Sequence, residues 1–313
     1  MQDLLDMRTP LVTVVILNWN GKEYLAPCLE SVLGQSYPRF RTVVVDNGSR
    51  DGSVQLIEKK YSDSLTLIRN EKNLGFAEGN NRAIDYALDK GTDYICLLNN
   101  DAVVDRGFLL PLIRAAESDG RIGILGPRVY FHHRPRRIWS EGIRVNSRTG
   151  RVVTPLYRRS DREAGNAVRE WDAVSGAALL IKKKVIEKTG RLEADYFVYY
   201  EDVDWCVRAR RNGFRVITVP SSRVRHRVSS SLRGGTSPVT MYYLVRNHLL
   251  LMDRNFPLSS PFLGRGRELR IIAYNLGFLL VASKINKNEG MRALIRGIKH
   301  YYQKQFGPIP DHL

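Results

Sequence analysis

The first hundred residues alternate short β-branched runs with stretches whose apolar residues recur at helical spacing, and few folds accept that order. Val12 to Leu17 reads as a strand ending in Asn-Trp-Asn-Gly, and Tyr24 to Leu33 as a helix broken by Gly34 and Pro38. Thr42 to Val45 is a second strand ending at Asp46, with a helix opening at Asp51-Gly52-Ser53. Leu65 to Ile68, a helix over Gly79 to Leu88, and a strand over Asp93 to Leu98 complete a βαβαβαβ order. The fold class expected is α/β, with a mostly parallel sheet covered on both faces.

In such sheets ligands sit beyond the carboxyl ends of the strands. Asn18 and Asn20, Asp46 and Asn47, and Asn99 to Asp101 follow three of these ends and are expected to line one crevice. Taken singly, each is also an ordinary turn former. Farther along, residues 130 to 170 are rich in Arg and read as loops and short strands. Trp171 to Lys182 reads as a turn and a buried strand, and a short helix is expected from Asp204 to Arg211. Phe214 to Val219 and Arg223 to Arg227 read as two strands, followed by helices at 239–254, 267–284 and 290–305.

Composition narrows the classes. Cys28, Cys96 and Cys206 form no C-x-x-C pair and read as reduced thiols in a cytoplasmic protein. The longest nearly apolar run, residues 271 to 283, has 13 residues; a membrane-spanning helix needs roughly 20. The N-terminus carries no secretory pattern. Net charge is +17, and from Asp204 onward 19 Lys and Arg face five Asp and Glu. Such a basic region attracts phosphates of nucleic acid, anionic lipid or a charged substrate. No base-stacking module accompanies it, so a nucleic-acid partner is not expected.

Several residues suggest chemistry. Asn99-Asn100-Asp101 at a strand tip offers oxygen ligands to Mg²⁺ or Mn²⁺, although it is also a good turn. Glu201, Asp202 and Asp204 place three carboxylates within four residues, where mutual repulsion raises at least one pKa. They equally suit a helix N-terminus, with Asp204 near the cap and Asp202 facing the cleft. His226 lies among Arg223, Arg225 and Arg227, which favour a neutral, metal-ready ring, though a lone histidine is more often structural. Asp46 could accept the imide N–H of a uracil or thymine, or simply cap a turn.

Five segments, VVILNWNG, VVVDNGSRDGS, NEKNLGFAEGNN, LLNNDAVV and YYEDVDWCVRARRNGF, in this order resemble family 2 glycosyltransferases of the GT-A fold. The likeness covers about residues 11 to 230 and is nearest to bacterial rhamnosyltransferase-like members building cell-wall or surface polysaccharides. Tyr242 to Asn247 and the basic helical tail also look like that subgroup. The resemblance implies a catalytic domain over 1–235, with a nucleotide-sugar half to about residue 130 and an acceptor half after it, then a basic helical region over 236–313.

The resemblance also implies an inverting, metal-dependent transfer from a nucleoside-diphosphate sugar, dTDP-rhamnose or a UDP-sugar, to a glycan or polyprenyl-diphosphate-linked acceptor. Asp46 matches the base-contacting acid, and Asn18, Asn20, Asn80, Asn99, Asn100 and Asp101 match the donor site. Asn99 replaces the first acid of the D-x-D-type motif, leaving one anionic ligand fewer. Asp101 and His226 are the implied metal ligands, Asp202 the catalytic base with Glu201 its competitor, and Gly176 and Ala177 the acceptor loop. The tail is expected on the inner, anionic face of the cytoplasmic membrane, or in helices that pack or pair as a homodimer. A nucleotidyltransferase is the rival, but Asn18-Trp19-Asn20-Gly21 is no Gly-rich basic loop; neither is it the G-x-G-x-x-G of a dinucleotide enzyme.

Overall fold

The computed structural model describes residues 9–227 and 237–310. Strands β1 (Val12–Asn18), β2 (Phe40–Asn47), β3 (Thr66–Asn70) and β4 (Tyr94–Asn99) are joined by helices α1 (Lys22–Leu33), α2 (Ser53–Tyr61) and α3 (Gly75–Asp89). β1 pairs in parallel with β2 and with β4, and β2 with β3, as the alternating order requires. Register sets the strand tips side by side: Asn18 lies opposite Asp46, and Leu17 opposite Asn99.

The sheet then continues in a manner that local pattern does not announce. After β5 (Ala102–Val104) and α4 (Leu109–Ser118) come β6 (Ile122–Phe131), most of it before the Arg-rich stretch, and β7 (Arg134–Ser140) within that stretch, where loops and short strands are expected. β8 (Arg144–Val145) and β9 (Val152–Val153) form a small separate ribbon. A one-turn helix, α5 (Asp161–Ala164), precedes β10 (Arg169–Glu170) and β11 (Ala178–Lys182). β11 runs antiparallel between β4 and β6. The order across the sheet is β10-β12-β6-β11-β4-β1-β2-β3, where β12 is Arg215–His226.

The reason β6 and β7 escape pattern reading is visible at Arg128, which is fully buried. Its guanidinium donates to Glu141 and to Asp161 (2.6 Å), so charge inside this layer is paired. The two strands expected at 214–219 and 223–227 are one, β12, interrupted by a register shift between Val219 and Arg223. Pro220 within that irregularity forfeits no ladder bond that regular pairing would need.

α6 (Lys183–Thr189) leads to α7 (Glu201–Arg211), which begins three residues before the expected start and takes all three carboxylates into its first turn. Beyond residue 237, α8 (Pro238–Asn255), α9 (Pro261–Gly277) with a π-helical continuation over Phe278–Ala282, and α10 (Lys287–Tyr302) agree with the three helices expected. Tyr242, Leu249, Ile271 and Leu294 belong to the same core as Val15, Leu97 and Trp205. The opposite sheet face, with Val14, Ile16, Val44 and Leu98, packs against α1, α2 and α4. Cys28, Cys96 and Cys206 are buried free thiols. Among the described residues, no helix is long and apolar enough to cross a membrane.

Candidate active site

Three strand tips meet through side-chain amides. Asn18 Nδ2 donates to Asp46 Oδ2 (3.1 Å) and to Ser49 Oγ (3.2 Å), while its Oδ1 accepts from Asn100 Nδ2 (2.8 Å). The Asn20 amide donates to Ser49 Oγ (2.9 Å), and Asn20 Oδ1 accepts from the Arg50 amide (2.8 Å). Asp46 Oδ1 accepts from the Ser49 amide (2.9 Å). A side chain at Gly21 would come within 2.0 Å of the Asn100 amide nitrogen, so the backbone passes where only glycine fits. Beside this cluster lies an open cleft of about 310 Å³, lined by Asp46, Ser49, Arg50, Gln55, Arg69 and Glu71 among others.

Asn47 turns inward instead, binding Asn73, Gly75, Asn70 and Leu74 and holding the β3–α3 connection. Asn80, buried in α3, donates to the Phe76 carbonyl of its own helix (2.8 Å) and stands outside the amide cluster.

On the other side of β4, β5 pairs antiparallel with the end of β12, setting His226 opposite Ala102. His226 Nε2 therefore lies 2.9 Å from Asp101 Oδ1 and 3.2 Å from Asn99 Nδ2, with Asp101 and His226 both buried. Trp139 packs edge-to-face on the imidazole at 4.5 Å, a neighbour the sequence did not reveal.

These donors fit a divalent cation of a limited kind. Among the described residues no group of three His, Cys, Asp or Glu side chains converges, so the protein offers one carboxylate and one imidazole, with the Asn99 amide adjacent. Hard cations of the Mg²⁺ type commonly take one or two carboxylates and complete their shell from substrate phosphates and water.

The loop carrying Gly176 and Ala177 connects this pair to α7. Ala177 accepts from the Asn99 amide (3.0 Å), and the Gly176 amide donates to Asp202 Oδ2 (2.7 Å). A Cβ at Gly176 would stand 3.2 Å from Asp202 Cβ and 3.3 Å from Phe76, so the loop lies close against that carboxylate. Asp202 Oδ1 accepts from the Val203 amide (2.8 Å). Burial raises the pKa of Asp202, and the two backbone donors partly oppose it. Glu201 is pushed well above the usual carboxylate range, by burial first and by the Asp202 charge second; its Oε2 has no partner. The Gly176 and Val203 amides favour the charged form of Asp202, while Glu201, with Oε2 unpartnered, is the more strongly raised of the two, which makes Asp202 the readier of the pair to ionise. Asp204 is structural, bound by Asn255 (2.6 Å), Arg208 (2.7 Å) and the Tyr196 hydroxyl (3.2 Å).

The approach to α7 is strained. Phe197, Tyr199 and Tyr200 have φ of 62°, 69° and 73°, values costly for side chains of this size. α8 holds them: Asn247 Nδ2 donates to the carbonyls of Tyr196 (2.8 Å), Val198 (2.7 Å) and Tyr199 (3.0 Å). Arg246, fully buried, donates to Asp195 (3.0 Å), Tyr196 (3.1 Å) and Gly307 (2.7 Å). Asn247→Ala should therefore cost about 2–3 kcal/mol of stability, from lost bonds and unsatisfied carbonyls. Urea unfolding measures it, and an unchanged midpoint would show that the turn holds without this clamp.

The sequence model of glycosyl transferase family 2 matches residues 13–189, from β1 through β11 and α6. The chain belongs to this family. It is 27% identical over 264 residues to the dTDP-rhamnosyl transferase RfbF of Shigella flexneri, covering 80% of this chain and 82% of that one. To the N-acetylglucosaminyl-diphospho-decaprenol L-rhamnosyltransferase of Mycobacterium tuberculosis it is 26% identical over 284 residues, covering 79% and 86%. Two other relatives are much longer proteins, of which this chain spans 25% and 19%.

The fold of this family 2 chain is shared with a mannosyltransferase of Pyrobaculum calidifontis solved with GDP-Man and Mn²⁺, at a TM-score of 0.58 and 18% identity, covering 95% of this chain and 88% of that one. That likeness confirms the expected GT-A architecture, with its mixed, mostly parallel sheet and helical C-terminal region.

Proposed function

We propose that this family 2 glycosyltransferase moves a sugar from a nucleoside-diphosphate sugar to a hydroxyl of a glycan or polyprenyl-diphosphate-linked acceptor, with inversion, in surface-polysaccharide synthesis. The observation that carries the reading is the hydrogen-bonded path from the Asp101–His226 pair through Asn99, Ala177 and Gly176 to Asp202. A pair suited to a cation and diphosphate is thus joined by one short loop to an ionisable carboxylate. dTDP-rhamnose is the first donor to test and UDP-sugars the next, supported by the names of two relatives of similar length.

In this mechanism the Asp46 carboxylate, though already accepting two hydrogen bonds, keeps lone pairs for the imide N–H of a pyrimidine. Asn18 and the Ser49 amide hold it in place, and Asn100 in turn holds Asn18. A divalent cation, held by Asp101 and His226, would offset the charge of the leaving diphosphate. Asp202 takes the proton from the acceptor hydroxyl, whose oxygen attacks the anomeric carbon from the face opposite the leaving group. Gly176 keeps the Asp202 carboxylate aimed at the loop where the acceptor lies, and Glu201 contributes no second negative charge there.

The test is a hydrolysis and transfer screen of purified protein against dTDP-, UDP- and GDP-sugars, with Mg²⁺, Mn²⁺ or EDTA. Consumption of one donor class, dependent on metal, is expected. Pyrophosphate release from a nucleoside triphosphate and a sugar phosphate, with every nucleotide-sugar left intact, would establish the nucleotidyltransferase instead.

A further inference from the structure

Helix α9 shows a large apolar face to the outside. A surface helix normally turns its apolar side inward and its polar side to water. On α9 and its π-helical continuation, Phe262, Leu269, Ala273 and Leu280 recur at helical spacing on the outside, flanked by Leu263, Tyr274 and Val281. Phe262 is 84% exposed, Val281 87% and Leu269 67%. The inward side already buries Ile271 and Leu279 in the core and adds polar contacts: Arg267 donates to the carbonyls of Ser147 (2.9 Å), Phe256 (2.6 Å) and Met252 (3.2 Å), and Asn275 meets His248 at 3.2 Å. Scattered exposed leucines are ordinary, but a row of them along one helix is not.

The charges around this row have one sign. Arg265 and Arg270 are the charged residues on the exposed face of α9, and between residues 256 and 310 nine Lys and Arg accompany only two Glu. One of those, Glu268, is occupied by the Tyr302 hydroxyl (2.8 Å), which ties α10 alongside. The outer face of α10 adds Arg292, Ile295 and Lys299. A second copy applied to this face through a two-fold axis would set arginine against arginine. An anionic surface with an apolar interior satisfies both the charge and the exposed side chains.

We propose that the outer face of α9, with the flanking face of α10, docks on an anionic phospholipid bilayer, with Phe262, Leu263, Leu269, Leu280 and Val281 entering the acyl boundary and Arg265 and Arg270 meeting the headgroups. The same helix reaches the catalytic half from its inner side. Asn275 contacts His248, and His248 stacks at 5.0 Å on Tyr200, the residue before Glu201. Docking by this face therefore holds the carboxylate pair in fixed relation to a lipid surface, where a lipid-linked hydroxyl would be presented.

Co-sedimentation of the full chain with phosphatidylcholine vesicles, with and without phosphatidylglycerol, tests this. Binding should require the anionic lipid and weaken steeply with salt. Phe262→Ser with Val281→Ser should reduce partitioning by about tenfold or more, since each buries a large apolar side chain. Arg265→Gln with Arg270→Gln should flatten the salt dependence. Both pairs are exposed, so melting temperature and donor hydrolysis without vesicles should match the native chain, which separates this proposal from the transferase reading. Native protein that stays in the supernatant with anionic vesicles at low salt overturns the proposal, and this measurement needs no variant. So does a dimer, seen by light scattering, that the Ser pair dissociates while vesicle binding is absent.

Discussion

Asp202→Asn should lower turnover by about 10²–10⁴-fold, the range contributed by a positioned general base. The amide keeps the size of the side chain and its place beside Gly176, but it cannot take a proton. Donor affinity should change little, because the hydrogen bonds of Asp202 run to the Gly176 and Val203 amides and not to the Asn18–Asp46–Asn100 cluster. Glu201→Gln makes the contrast. Glu201 is buried and its pKa is pushed well above the usual carboxylate range, so an uncharged isostere should leave turnover within a few-fold of native. Should the Gln variant be the dead one and the Asn variant active, the roles of the two carboxylates are reversed.

The same burial sets the pH dependence. The pKa of Asp202 lies above the ordinary carboxylate value, so its ionised form, and with it turnover, is lost as pH falls through that raised value. The acid limb of the rate profile should therefore lie higher than an exposed aspartate would place it. Stability runs the opposite way. Both carboxyls bind protons more tightly folded than unfolded, so stability is greatest below the unfolded carboxylate range and declines as pH rises towards the raised folded values. Glu201→Gln should remove the larger part of that decline, as followed by urea unfolding across pH.

Asp101→Asn and His226→Ala should act on the cation and donor together. Loss of a side chain outside a metal's direct ligands commonly weakens binding 10–100-fold, so loss of a ligand should cost about 100-fold or more. Calorimetric titration with Mn²⁺, alone and with a nucleoside diphosphate, measures this without turnover. In kinetics the two variants should raise the apparent metal and donor constants, the opposite split from Asp202→Asn. Mn²⁺ and nucleotide affinities equal to those of the native chain would remove the pair from the metal site. Asp101→Asn is the cleaner probe, since it removes the anionic ligand and leaves His226 against Trp139.

Part of this site was legible because its determinants are local. A β-branched run followed by a polar tip is a short-range pattern, and parallel pairing of successive βαβ units brings such tips to one edge. Asn18, Asp46 and Asn100 thus belong to one crevice on local pattern alone, whereas Ser49, which bridges Asn18 and Asn20, shows no local sign of that role. Tyr242 to Asn247 resembles the family subgroup, but the segment alone carries no sign of its role. Its purpose, clamping three carbonyls of the turn before Glu201, depends on contacts about 50 positions distant.

By itself the sequence determined the parallel half of the sheet, the polar tips and the acidic start of α7, since each follows from spacing along a few neighbouring residues. Only the tertiary structure decided that β11 enters antiparallel beside β4, that β5 and β12 press Asp101 against His226, and that the Gly176 amide donates to Asp202. It also decided which side of α9 faces out, because a helix apolar around much of its circumference carries no periodic signal of its inner face. Pairing between distant strands and the choice of a buried face are settled by how the whole core closes, and no short window of residues contains that information.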